Sequence, residues 1–182
     1  WKPVYNILEE LFEVWVVNAQ HVKNVPGRKT DANDAEWLTD LMRYGLLRAS
    51  FIPNAGQRHY RDLTRMRLTL VRERATSTKR LHKALESCNI KLGAVASDLR
   101  GKSCIRMLYE LVTNIDARPE DMADMALRTL RRKHDDLVLA LEGFVDDHHR
   151  LMLGQLLDHL ANLDARLAAS DQRIETVSAP YM

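Results

Sequence analysis

The chain of 182 residues is 46% hydrophobic and 29% charged, enough apolar material for one ordinary domain or two small ones and too much for a disordered chain. Its net charge is only +2, but residues 57–86 carry nine Lys and Arg against three acids, a local +6, while residues 1–56 sum to −1 and 87–182 to −3. Cys88 and Cys104 form neither a disulfide framework nor a metal spacing, no apolar run nears the ~20 residues that span a bilayer, and nothing resembles a signal peptide, so the sequence reads as cytoplasmic.

Pro3 at a helix start, with Val4, Ile7, Leu8 and Leu11 behind it, predicts a short amphipathic helix ending near Phe12. The run Val14-Trp15-Val16-Val17 has the composition of a buried strand, with Ser50-Phe51-Ile52 a weaker second. One strand does not make a sheet, so this run predicts partners outside the sequence. After a turn at Pro26-Gly27, Thr30 or Asp31 opens a helix that buries Ala35, Leu38, Leu41 and Met42 and that Gly45 ends. A long helix follows from about Ala55 to Cys88. Its first apolar stripe is Tyr60, Leu63, Met66 and Leu70, and its second is Leu81, Leu85, Cys88 and Leu92.

Further helices are predicted over Ser103 to Val112, from Pro119, and through Leu137 to Leu141. The last element has the clearest period. Leu153, Leu160, Leu167 and Ile174 recur every seven residues, and Leu156, Leu163, Ser170 and Val177 take the complementary positions. That seam either folds back on the long basic helix or joins another subunit. The divisions that result are 1–53, 54–92, 93–145 and 146–178.

Two groups of residues carry chemistry. Asp31 and Asp34 stand three apart at a helix start, so both fall on one face within reach of a single divalent cation; the same spacing also serves as a first-turn acid pair for orphan amides. The cations Lys23, Arg28 and Lys29 precede them. Arg58, Arg61, Arg65, Arg67, Arg72, Arg74, Lys79, Arg80 and Lys83 stud the long helix, which suits either a nucleic-acid backbone or a solvated helix face. His148, His149 and His159 lack a ligand spacing, and Asp146 and Asp147 beside them read as a helix start. Ser103 and Cys104 have no base nearby in sequence, and there is no phosphate-binding glycine loop.

A longer string of residues carries a resemblance. Trp1-Lys2-Pro3, Asn18-Ala19-Gln20-His21-Val22-Lys23, Pro26-Gly27-Arg28-Lys29-Thr30-Asp31 and Asp34-Ala35-Glu36-Trp37-Leu38 resemble the Asp-Glu-Asp-Asp, RuvC-like transposases of the bacterial insertion-sequence one-ten group. The likeness continues through Gly45-Leu46-Leu47, Asn89-Ile90-Lys91-Leu92 and Asp147-His148-His149-Arg150, and so covers nearly the whole chain.

The resemblance implies an α/β fold, the C-terminal part of an RNase H/RuvC-like domain, followed by a mostly helical coiled-coil region. It implies Asp31 and Asp34 as the third and fourth acids of a Mg²⁺ site whose first Asp and Glu precede Trp1, and a further serine-bearing domain beyond Met182, so that the sequence reads as an internal fragment. It also implies DNA strand cleavage and rejoining, a guide RNA, and assembly into homo-oligomers through Leu153, Leu156, Leu160, Leu163, Leu167 and Ile174. The alternatives are a non-catalytic helical dimerisation or nucleic-acid-binding module, another RuvC-like nuclease such as a junction resolvase, and a decayed remnant.

Overall fold

A computed structural model describes residues 1–23 and 34–179. Among them the chain forms nine α-helices: α1 (Lys2–Leu8), α2 (Ala19–Lys23), α3 (Asp34–Arg43), α4 (Ala55–Ser87), α5 (Leu92–Val95), α6 (Lys102–Thr113), α7 (Pro119–Ala123), α8 (His134–Leu141) and α9 (Asp147–Ser178). A 3₁₀ segment over Arg128–Lys133 leads into α8. The chain divides into two compact units, Trp1–Arg58 and His59–Met182.

The first unit corrects the α/β expectation. No strand or sheet forms among the described residues, and the chain is helical through most of its length. The run Val14 to Val17 is extended but builds a single antiparallel bridge, Val17 to Ala49, with Ser50 N–H donating to Val16 O at 2.7 Å. Beta propensity measures fit to a pleated, half-buried surface, and one bridged pair offers no such surface. Trp15 is therefore 40% exposed instead of buried. The apolar face of α1 is likewise uncovered, with Val4, Ile7, Leu11 and Phe12 all exposed. Of the four residues predicted to be buried on α3, only Leu41 is.

What holds this unit is Arg58. It is 8% exposed; its Nη2 donates to Glu9 Oε1 at 2.6 Å and its Nη1 to Pro53 O at 3.0 Å. The guanidinium also lies 5.3 Å from the centre of the Tyr5 ring, so one cation ties the α1 region to the start of α4.

Helix ends follow local rules. Gly45, at φ 67°, ends α3 with Gly45 N–H on Met42 O and Leu46 N–H on Leu41 O, the Schellman pattern. Asn89, at φ 61°, ends α4 the same way through Asn89 N–H on Glu86 O and Ile90 N–H on Leu85 O. Asn54 Oδ1 accepts from Gln57 N–H to start α4, and Asp146 Oδ1 accepts from His149 N–H to start α9, each at 2.9 Å.

The second unit buries one continuous core. The end of α4 contributes Leu81, Leu85 and Cys88, α6 contributes Met107, Leu108 and Leu111, α8 contributes Leu137 and Leu141, and α9 contributes Leu153, Leu157 and Leu160. A smaller cluster of Leu70, Leu163 and Leu167 continues along α4 and α9. Arg150 fastens α9 to the C-terminal end of α6 by donating to the carbonyls of Leu111, Asn114 (3.0 Å) and Ile115 (3.3 Å), where unsatisfied carbonyls and the helix dipole favour a cation.

The chain crosses itself closely at Gly143, where Phe144 N–H donates to Cys88 O at 2.8 Å. A Cβ at Gly143 would lie 2.3 Å from that same carbonyl oxygen, a backbone atom that cannot swing aside. Gly143→Ala is expected to destabilise the protein by about 1–3 kcal/mol, the range for overpacking a closed site, and thermal unfolding of the two proteins side by side checks it.

Candidate nucleic-acid interface

The nine cations assigned to the long helix divide into two groups once α4 is built. Arg67 and Arg74 point to α9. Arg67 Nε and Nη2 donate to Asp171, and Arg74 Nη1 donates to Asp164 at 2.9 Å, with Arg100 Nη1 3.7 Å from the same Asp164 oxygen. Moving seven residues up α4 moves the partner seven residues down α9, so the two helices run antiparallel, with Leu70, Leu163 and Leu167 buried between the ion pairs. Arg58 is occupied inside the first unit. Three of the nine cations thus serve the fold.

Five of the remaining six form a row. Arg61, Arg65, Arg72, Lys79 and Lys83 are all exposed. At 3.6 residues per turn they fall within about 40° of one another around the α4 axis and extend over roughly 33 Å of it. Leu70, Ser77, Leu81 and Cys88, all buried, lie on the opposite side. The exposed Arg80 flanks the row, and near its end a groove of about 440 Å³ is lined by Arg80, Lys83, Ala84, Ser87, Met152 and Leu156. Flexible cations spaced along one solvent-facing side of a rigid rod can neutralise successive phosphates without reading bases.

The carboxylate pair is only half visible. Asp34 is exposed in the first turn of α3, and Lys23 is exposed at the end of α2. Asp31, Arg28, Lys29, Thr30 and the turn at Pro26-Gly27 lie outside the described residues. Among the described residues no group of three or more His, Cys, Asp or Glu side chains is placed to hold a metal ion.

The seam residues proposed for assembly are mostly internal. Leu153, Leu160, Leu163 and Leu167 are at most 4% exposed beneath the chain's own helices, while Leu156 and Ile174 are half-buried. Leu157, which the heptad reading passed over, is buried in place of Leu156. Cys104 is buried and its thiol is pushed up to about 11, first by burial and then by Asp98, which keeps it protonated and unreactive. No helix among the described residues is long and apolar enough to cross a membrane.

A family model described as Transposase, that of the DEDD-type insertion-sequence one-ten (IS110) group, matches residues 1–90. No curated protein and no solved structure matches the chain. Over residues 1–90, about half of its length, the chain is thus similar to this transposase family.

The α4–α9 ion pairs give the protein a pH limit. Asp171 is held below the usual carboxylate range, first by the hydrogen bond from Arg67 and then by that cation's charge, and Asp146 is lowered chiefly by the His149 amide. A carboxylate lowered on folding adds stability above its unfolded pKa and loses it as pH falls through the folded value. The melting temperature is therefore expected to fall once pH drops below about 4, and Arg67→Gln, measured over the same pH series, should show a smaller fall.

Proposed function

We propose that this chain takes part in insertion-sequence transposition by holding a nucleic-acid backbone along α4. The observation that carries the reading is the exposed row Arg61, Arg65, Arg72, Lys79 and Lys83, whose cations are free of the ion pairs that bind α4 to α9. The match to a transposase family model over residues 1–90 supports it and reaches through this row. Contact of this kind is with phosphates, so it accepts duplex DNA or a structured guide RNA with little regard to sequence.

Asp31 and Asp34 complete the proposal as two carboxylates of a divalent-metal centre for strand cleavage and rejoining. Their three-residue spacing and the DEDD character of the matched family support this, and Lys23, Arg28 and Lys29 are placed by sequence to meet phosphates beside them.

Two measurements test these parts separately. Binding to duplex DNA should weaken with salt with a log–log slope of about −4 to −5, one unit per phosphate met by the row, and changing all five cations to Gln should bring that slope toward zero. A parent slope near zero, or an unchanged slope in the variant, would remove α4 as the interface. Asp31→Asn with Asp34→Asn should abolish transposition of the element in cells while leaving DNA affinity within about twofold, since neither acid contributes a phosphate contact. Transposition at the parental rate would remove both acids from the centre.

A further inference from the structure

The second unit contains an open pocket of about 590 Å³ that neither the basic row nor the acid pair uses. It lies at the N-terminal end of α6 against the 3₁₀ segment, and its volume falls in the range of sites for small organic ligands. Three cations line it, Lys102, Arg128 and Lys133, against one carboxylate, Asp98. Asp98 is already engaged: its Oδ1 accepts Arg100 N–H at 2.9 Å and lies 3.8 Å from Arg100 Nε. Lys133 Nζ donates to Val95 O at 3.1 Å, which fixes the ammonium at the rim with two hydrogens left to give.

Beside these cations the pocket offers further donors. Ser103 is 9% exposed; its oxygen accepts Leu127 N–H at 3.0 Å, so its own hydroxyl hydrogen is left to donate. The N-cap of α6 is Gly101, which has no side chain to satisfy the first amides of this twelve-residue helix. Arg128 sits at φ 56°, a backbone state that a residue with a Cβ rarely adopts, and a glycine there would build the same turn more cheaply but without a guanidinium. Val95, Ala96, Leu127 and Leu130 supply an apolar wall. Cys104 also lines the pocket, but burial keeps its thiol protonated, so the site is built for binding and not for thiolate attack.

We propose that this pocket binds the phosphate group of a nucleotide, with Lys102, Arg128, Lys133 and Ser103 holding the phosphate and the apolar wall covering the nucleoside. The proposal is independent of the α4 row, with which it shares no residue. The full chain is titrated with adenosine monophosphate and, separately, with inorganic phosphate, followed by the backbone amide resonances of Lys102, Ser103 and Cys104.

Saturable shifts at those amides, with adenosine monophosphate the tighter ligand, are expected. Arg128→Gly should keep or raise the melting temperature, because it relieves the positive φ, and should weaken the nucleotide about tenfold, the loss that goes with one charge-assisted hydrogen bond. Lys133→Gln gives a second variant with an intact backbone and the same expected direction. Absence of shifts with both probes, or equal affinity in parent and both variants, overturns the proposal. Equal affinity for the two probes overturns the nucleotide and leaves a site for free phosphate. The five-Gln variant of the α4 row should bind adenosine monophosphate like the parent, so failure of the row and failure of the pocket are read separately.

Discussion

The second unit depends on α4 having two opposite faces, one packed on α9 and one exposed. A helix of 33 residues is about 50 Å long, and in water most of its stability must come from something packed along it. Here that support is α9, which meets α4 through Leu70, Leu163 and Leu167 and through the pairs Arg67–Asp171 and Arg74–Asp164. Of the α4 cations, the acids of α9 answer Arg67 and Arg74, which share the inner face. Among the described residues the outer cations enter none of the ion pairs to α9, which lies on the far side. The same pairing that holds the rod together therefore leaves a basic row on the opposite, exposed side.

The first unit is organised differently. With no sheet among the described residues to pack on, Val4, Ile7 and Leu11 face outward, and the unit is tied by contacts such as the bridged pair at Val17 and Ala49 and the buried Arg58. A buried guanidinium is costly unless its donors are satisfied, and Glu9, Pro53 O and the Tyr5 face together meet that requirement. The unit is thus held at one charged point more than by an apolar core, and Leu41 is its one buried large apolar side chain among the described residues.

What could be read from the sequence followed the range of the interaction involved. Caps and stops are local, and Gly45, Asn54, Pro119 and Asp146 all act where their types suggest. The two long helices are periodic over many turns, and their bounds form nearly to the residue, although Leu157 and not Leu156 is the buried seam position. The strand at Val14 to Val17 failed because a strand is a property of its neighbours, and composition carries no information about whether they are present. Counting the cations on α4 hid their division, although helical phase alone places Arg67 and Arg74 with Leu70 and away from Arg61 and Arg72. Arg58 could not have been sorted that way, because its partner Glu9 stands 49 residues off. Nor could the pocket at α6 be read, since Lys102, Arg128 and Lys133 meet only after the turn at Arg128 has formed.

The two anion-binding features would respond differently to their surroundings. The α4 row consists of long, exposed cations, where each charge is screened within about 8 Å at physiological salt, so the hold on phosphates proposed for it would come from releasing counterions and change steeply with ionic strength. The α6 pocket uses amides fixed by a helix, a hydroxyl held by Leu127 N–H and an ammonium anchored on Val95 O. Donors oriented before the ligand arrives lose little entropy in binding it, and partial enclosure weakens screening. The row therefore suits a long polyanion that must slide or be released, and the pocket suits one phosphate held in a fixed place.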